Sequence, residues 1–339
     1  MKKNMFVAAA AIAGLSAIPA SAQTNVTIYG VADAGLQRTD DGASTVNSVV
    51  SGAQSGSRLG FKGTEDLGGG LSAIFTLESG FTLNDGKLAQ GGRLFGRQSF
   101  VGLSSDAGTL RLGRIYNPIR PALESVDPFQ FGLAGNISRV FKAYDERADN
   151  TVNYTTPKWN GVTGQVAWSF GGVPGGASLG RQVGASLGYA NGPVLAVLAY
   201  HNQNLLTATN TDNGNAKSTF IGGVYDFGVA KAHLGYAWNK GSSAAGVDNV
   251  DSRDLLAGVT VPVGGAGNVL ASYIRHSDKL VANRDARQWA LGYTWDLSKR
   301  TNLYTSYARV NNDSASTLGG AAAAGLDPSL LNVGIRHKF

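Results

Sequence analysis

The chain has 339 residues, 43% hydrophobic and only 15% charged, with 47 Gly, 9 Pro, no Cys and a formal net charge of +6. The lack of Cys excludes disulfide scaffolds, thiolate catalysis, Fe–S clusters and Cys-ligated zinc. A mean hydropathy of -0.07 excludes a helical membrane bundle, and a small positive balance with no block of five Lys/Arg excludes a nucleic-acid partner.

The first 22 residues read as a leader. Lys2 and Lys3 precede an apolar run from Phe6 to Ile18, and Ala20-Ser21-Ala22 is a small-x-small exit, with cleavage expected between Ala22 and Gln23. The run is shorter than the roughly 20 residues a membrane helix needs. Residues 23–339 are expected to form one exported domain.

From there the dominant period is two. Sixteen strands are expected, at 26–39, 57–64, 71–83, 94–104, 108–116, 150–158, 162–170, 181–190, 193–203, 217–227, 229–240, 253–262, 267–278, 286–297, 301–311 and 329–339. The last is the clearest: Leu331, Val333, Ile335, His337 and Phe339 alternate with Asn332, Gly334, Arg336 and Lys338. Lengths near 9–11 residues suit tilted membrane strands. The connections alternate in kind. Seven are turn-like, among them Asn160-Gly161 and Asn191-Gly192, which tolerate the positive φ of tight hairpins. Eight are mostly longer and polar, including 40–56 and the 33 residues of 117–149. Periodicity alone does not separate a sandwich from a barrel. Length, small polar residues on the polar faces and aromatics near strand ends (Trp159, Trp168, Trp238, Trp295) favour an all-β, transmembrane, antiparallel barrel of sixteen strands. An open edge in hydrocarbon would leave amides unpaired, so such a sheet must close.

Parity places Arg58, Lys62, Arg97, Arg111 and Arg336 on polar strand faces, where an Arg either lines the lumen or snorkels at a rim. Asp33 and Glu78 are expected to be lumenal acids. Arg114 shares parity with Leu110 and Leu112, and Arg38 with Leu36, so either would need a bulge to face inward. The long segment 117–149 is too apolar for disorder and either covers the mouth or folds inward. It carries Glu124 and Asp127, with Asp145, Glu146 and Asp149 on its return.

No catalytic, cofactor or metal site is expected. His201, His233, His276 and His337 follow no ligand spacing, residues 248–254 do not satisfy a calcium loop, and Gly68-Gly69-Gly70 lacks the Gly-Lys-Ser/Thr of a phosphate loop. Two other classes stand as alternatives: an outer-membrane barrel enzyme with a Ser–His or Asp–His pair near a rim, and a loop-mediated adhesin or receptor.

Several segments carry a resemblance. Val26-Thr27-Ile28-Tyr29-Gly30-Val31-Ala32-Asp33, Ser57-Arg58-Leu59-Gly60-Phe61-Lys62-Gly63-Thr64-Glu65-Asp66, Phe95-Gly96-Arg97-Gln98-Ser99-Phe100 and Leu112-Gly113-Arg114, in this order and ending on Phe339, are similar to the general porins of Gram-negative outer membranes, of the beta-proteobacterial type. The resemblance covers essentially all of 23–339. It lacks the Pro-Glu-Phe-Gly-Gly signature that many such porins carry in the third loop. It implies a homotrimer in outer-membrane lipid and lipopolysaccharide, with one aqueous channel per subunit for small hydrophilic solutes and inorganic ions. It further implies an inward-folded third loop opposing Glu124 or Asp127 to wall arginines, Arg114 turned into the channel, and Phe339 read by the barrel-insertion machinery. A preference for anions is expected from the predominance of basic residues on polar faces.

Overall fold

The first and last strands of the chain pair with each other. In the computed structural model, which describes residues 25–141 and 147–339, Val31–Asp40 runs antiparallel to Ser329–Lys338. The strands are β1 (Asn25–Asp40), β2 (Thr45–Ser51), β3 (Arg58–Gly68), β4 (Leu71–Gly80), β5 (Gln98–Ser105), β6 (Gly108–Tyr116), β7 (Arg147–Thr155), β8 (Val162–Ser169) and β9 (Gln182–Asn191). They continue as β10 (Val194–Leu206), β11 (Asp212–Asp226), β12 (Lys231–Ser242), β13 (Asp248–Val263), β14 (Gly267–Asp278), β15 (Ala286–Asp296), β16 (Thr301–Asn312) and β17 (Ser329–Lys338). Each strand from β3 onward is antiparallel to the next, and β1 closes the sheet against β17. The expected leader, Asp145 and Glu146 lie outside the described residues.

Seventeen segments fill sixteen barrel positions, because β2 and β3 share the free edge of β1. β2 pairs with Ala34–Asp40 and β3 with Asn25–Val31. Between them only Ala32 and Asp33 stand opposite the six residues 52–57, a wide bulge. This corrects one expectation: 40–56 is not an outer loop, since 45–51 is strand. Its Thr45, Val46, Val49 and Val50 are good strand formers, but Asp, Gly and Ser on both sides masked them. Where pairing lapses, the Asp33 N–H donates to Ser57 Oγ at 3.1 Å and the Gly52 N–H to the Asp33 carbonyl at 2.8 Å.

The period-2 alternation becomes two faces. Leu331, Val333 and Ile335 of β17 are exposed, while Leu330 and Asn332 are buried. Trp289, Leu291 and Trp295 of β15 and Leu234 and Trp238 of β12 are exposed in the same way. An apolar outside and a polar inside is the arrangement a barrel in lipid requires. Aromatic pairs sit at strand ends, such as Tyr225–Phe227 with centroids 4.6 Å apart. At the seam, Phe339 and Gly30 exchange backbone hydrogen bonds of 2.9 and 3.1 Å.

The connection from β6 to β7 contains a helix, Ile119–Val126, that packs against β9, β10, β11 and β12. Ile119, Leu123 and Val126 join Ala199, Phe220, Ala237, Leu256 and Ile274 in one buried cluster. Farther along, Phe129, Leu133 and Ala134 join Leu270, Ala290, Tyr304, Ala308 and Leu330.

A charge on the apolar face tests the assignment of faces. Val333→Arg, at mid-strand in β17, should lower the unfolding free energy in lipid bilayers by ~2–4 kcal/mol. A change below ~0.5 kcal/mol would contradict an outward Val333.

Candidate functional site

A cavity of about 1020 Å³ runs along the enclosed face of the barrel. Among the described residues it is lined by seven basic side chains (Arg58, Arg97, Arg120, Arg147, Lys231, Arg336 and Lys338) and four acidic ones (Glu78, Glu124, Asp127 and Asp296). The centre is a connected set. Glu78 of β4 accepts from Arg97 Nε at 2.7 Å and from the Tyr29 hydroxyl at 2.9 Å, with Arg58 Nε at 3.8 Å. Arg97 Nη2 and Arg147 Nη2 both donate to the Tyr116 hydroxyl, at 3.0 and 2.6 Å. Arg120 pairs with Glu124 at 2.7 Å and lies 3.7 Å from the Phe131 ring centroid. Four guanidiniums thus gather around two tyrosines, two glutamates and the loop.

Parity accounts for Arg58, Glu78, Arg97 and Arg336, which all line this cavity. Lys62 shares their enclosed face, with Nζ 5.4 Å from the Tyr29 ring centroid, but lies outside the cavity lining. Arg111 lines a separate recess. Arg38 stays on the face of Leu36, because β1 pairs from Val31 to Asp40 without a register shift and no bulge turns it inward. At Arg114 a bulge does occur, between Gly113 and Ile115, at Gly113 φ +146°. It directs Arg114 to Asp149 at 2.5 Å and to the Gly96 carbonyl at 2.7 Å, and Arg93 binds the same Asp149 at 2.8 Å.

Two of the expected acids serve the backbone instead of water. Asp33 is fully buried and accepts from the amides of Gln54 and Ser55 at 3.0 and 2.7 Å and from the Tyr304 hydroxyl at 2.6 Å. It pins the bulge 52–57. Asp127 is 1% exposed and accepts from the amides of Phe129, Phe131 and Ile137 at 2.9, 3.0 and 3.1 Å. It pins the turn after the loop helix. These two pinned segments meet: the Leu133 N–H donates to the Ala53 carbonyl at 2.5 Å, and Gly132 lies so close to the Gln54 backbone that a Cβ there would collide with it.

Arg120, Arg147, Tyr116, Lys231 and Lys338 were not singled out from the sequence. Lys231 and Lys338 had the right parity, with His233 and Arg336 respectively. Arg120 and Tyr116 border a loop without period, and Arg147 begins a strand three residues earlier than expected. His233 Nδ1 donates to the Val126 carbonyl at 2.9 Å, and His276 Nδ1 lies 2.6 Å from Asp254 Oδ1. Among the described residues no group of three or more His, Cys, Asp or Glu is placed to hold a metal ion.

Comparison with known proteins decides what this barrel is. Residues 8–315 match the Gram-negative porin family. The chain belongs to that family. This porin is 36% identical to an outer membrane porin protein of Bordetella pertussis and 36% identical to outer membrane porin protein 32 of Delftia acidovorans, each aligned over 100% of both chains. Among solved structures it is similar to an anion-selective porin from Comamonas acidovorans, with TM-score 0.84 and 32% identity over 94% of this chain and 100% of that one. OmpT of Vibrio cholerae shares the fold alone, at TM-score 0.71 and 16% identity over 93% of this chain and 99% of that one. The porin is therefore a passive diffusion channel of the outer membrane and not an enzyme.

Burial pushes the Asp127 carboxyl up to about 6, against the pull of its three N–H donors and of Arg120. Because the folded value lies above the unfolded one, its stabilising contribution is complete below ~4 and is lost as pH rises through about 6. On going from pH 7 to pH 4.5 in denaturant unfolding, the wild type should gain on the order of 2 kcal/mol of stability relative to Asp127→Asn. Equal pH dependence in the two would contradict a buried, ionisable Asp127.

Proposed function

We propose that the pore prefers anions and that permeation is decided where the third loop, expected over 117–149, folds into the lumen beside the wall arginines. The carrying observation is the convergence of Arg58, Arg97, Arg147 and Arg120 on Tyr116 and Glu78. Charge of one sign along a narrow, low-dielectric passage raises the local concentration of the opposite ion. Screening reaches within ~8 Å at physiological salt, so charges on distant outer loops count for little beside those at the narrowest point. The inward fold of the loop is supported by its contacts with Phe220, Leu256 and Ile274, residues on the face opposite the exposed apolar one. The likeness to a porin described as anion-selective points the same way. Glu124 supplies the opposing charge on the loop, and Asp127, buried under its turn, does not.

In this reading the leader 1–22 is removed on export, the terminal Phe339 is read by the barrel-insertion machinery, and three copies assemble side by side in lipid and lipopolysaccharide. Native mass in mild detergent should be three times that of the subunit. A monomeric mass with full channel activity would overturn the trimer.

The reversal potential in a salt gradient tests the selectivity. The wild type should favour chloride over potassium, Arg58→Gln with Arg97→Gln should lower that preference, and Glu78→Gln should raise it. Cation preference in the wild type, or variants indistinguishable from it, would overturn the reading.

A further inference from the structure

Beside the charged cavity lies a second recess, of about 360 Å³, between the loop helix and the inner faces of β5–β10. The two share Gln98, Tyr116 and Ser125 as lining and so lie side by side. The volume falls within the range of small-molecule sites.

Its chemistry differs from that of the main passage. Among the described residues Arg111 is the one charged side chain that lines it. Arg58, Arg97 and Arg120 each face a glutamate. Arg111 forms no salt bridge among the described residues: Nη2 donates to Thr155 Oγ1 at 2.6 Å, Cζ lies 5.7 Å from the Phe100 ring centroid, and Nε is buried without an acceptor. A half-buried guanidinium with one neutral acceptor is poorly compensated, and a carboxylate is the group that best matches its planar fork. Around it, Gln165 and Ser186 offer neutral hydrogen-bonding groups. Pro121 and Ala122 of the helix, and Ile115 of β6, present carbon.

We propose that this recess is a binding site for small monocarboxylates with an apolar body, held by Arg111 off the main path. The carboxylate meets the guanidinium and the body lies against the helix. A solute bound there dwells in the lumen and impedes chloride, whereas in the main passage Arg58, Arg97 and Arg120 share their charge with a glutamate and release anions readily.

Benzoate is a suitable probe, with benzamide as its neutral match. Titrated against single-channel chloride current of the wild type, benzoate should give a saturable reduction and benzamide none. Arg111→Gln should weaken the apparent affinity for benzoate about tenfold, as expected for loss of a charged hydrogen-bonded partner, while Arg58→Gln should retain it. Non-saturating or equal effects of benzoate and benzamide on the wild type would overturn the proposal, and do so without any variant. Block that survives Arg111→Gln and vanishes with Arg58→Gln would place the binding in the main passage and overturn it as well. The anion preference itself is read separately, from the reversal potential in chloride salt alone.

Discussion

A sheet edge left open in hydrocarbon leaves its amides without partners, at a cost of several kcal/mol for each group. β1 is where this barrel meets that constraint. One edge is occupied by β17 over ten residue pairs. The other is shared by β2 and β3, with a lapse at Ala32 and Asp33. The lapse is repaired locally: the Ser57 hydroxyl and the Gly52 amide take the Asp33 backbone groups that strand pairing would otherwise satisfy. Closure therefore survives a six-residue excursion, and the excursion becomes a structural part of the lumen.

Two buried carboxylates perform parallel tasks on opposite partners of one contact. Asp33 gathers the amides of Gln54 and Ser55, and Asp127 gathers those of Phe129, Phe131 and Ile137. Each replaces the hydrogen-bond partners that irregular backbone lacks. The segments they shape meet at Ala53 and Leu133, while the loop helix rests on the far wall through Leu123, Val126 and Phe220. A loop fixed at both sides holds Arg120 and Glu124 in a constant relation to Arg58, Arg97 and Glu78, the constancy that the proposed selectivity by charge requires.

Much of this was legible in the sequence, for a definite reason. Strands such as 329–338 and 286–296 have one face in lipid and one in water, so alternation reports them directly. The segment 45–51 escaped because it sits between Asp- and Gly-rich stretches and is only half of a divided strand. Parity located Arg58, Glu78, Arg97 and Arg336 on the enclosed face, and it left Arg38 beside Leu36, where the structure keeps it. It said nothing of what lies above a residue. Asp33 has the parity of a lumenal acid, yet the bulge 52–57 covers it. Arg120 belongs to a segment without period and Tyr116 ends the strand before it, and only the folded path brings them to Arg97 and Arg147.

The loop tip rests against the interruption of the second barrel strand, where the Leu133 N–H donates to the Ala53 carbonyl, and in the proposed reading this contact sets the width of the pore. The chain has no Cys, so the pair Ala53→Cys and Leu133→Cys, joined in the structure by a backbone hydrogen bond, gives a clean cross-link. Single-channel conductance should be measured on the oxidised and reduced forms of this double variant. The account predicts that the disulfide forms readily and leaves conductance unchanged. Failure of the cysteines to join, or a large change in conductance when they do, would contradict it.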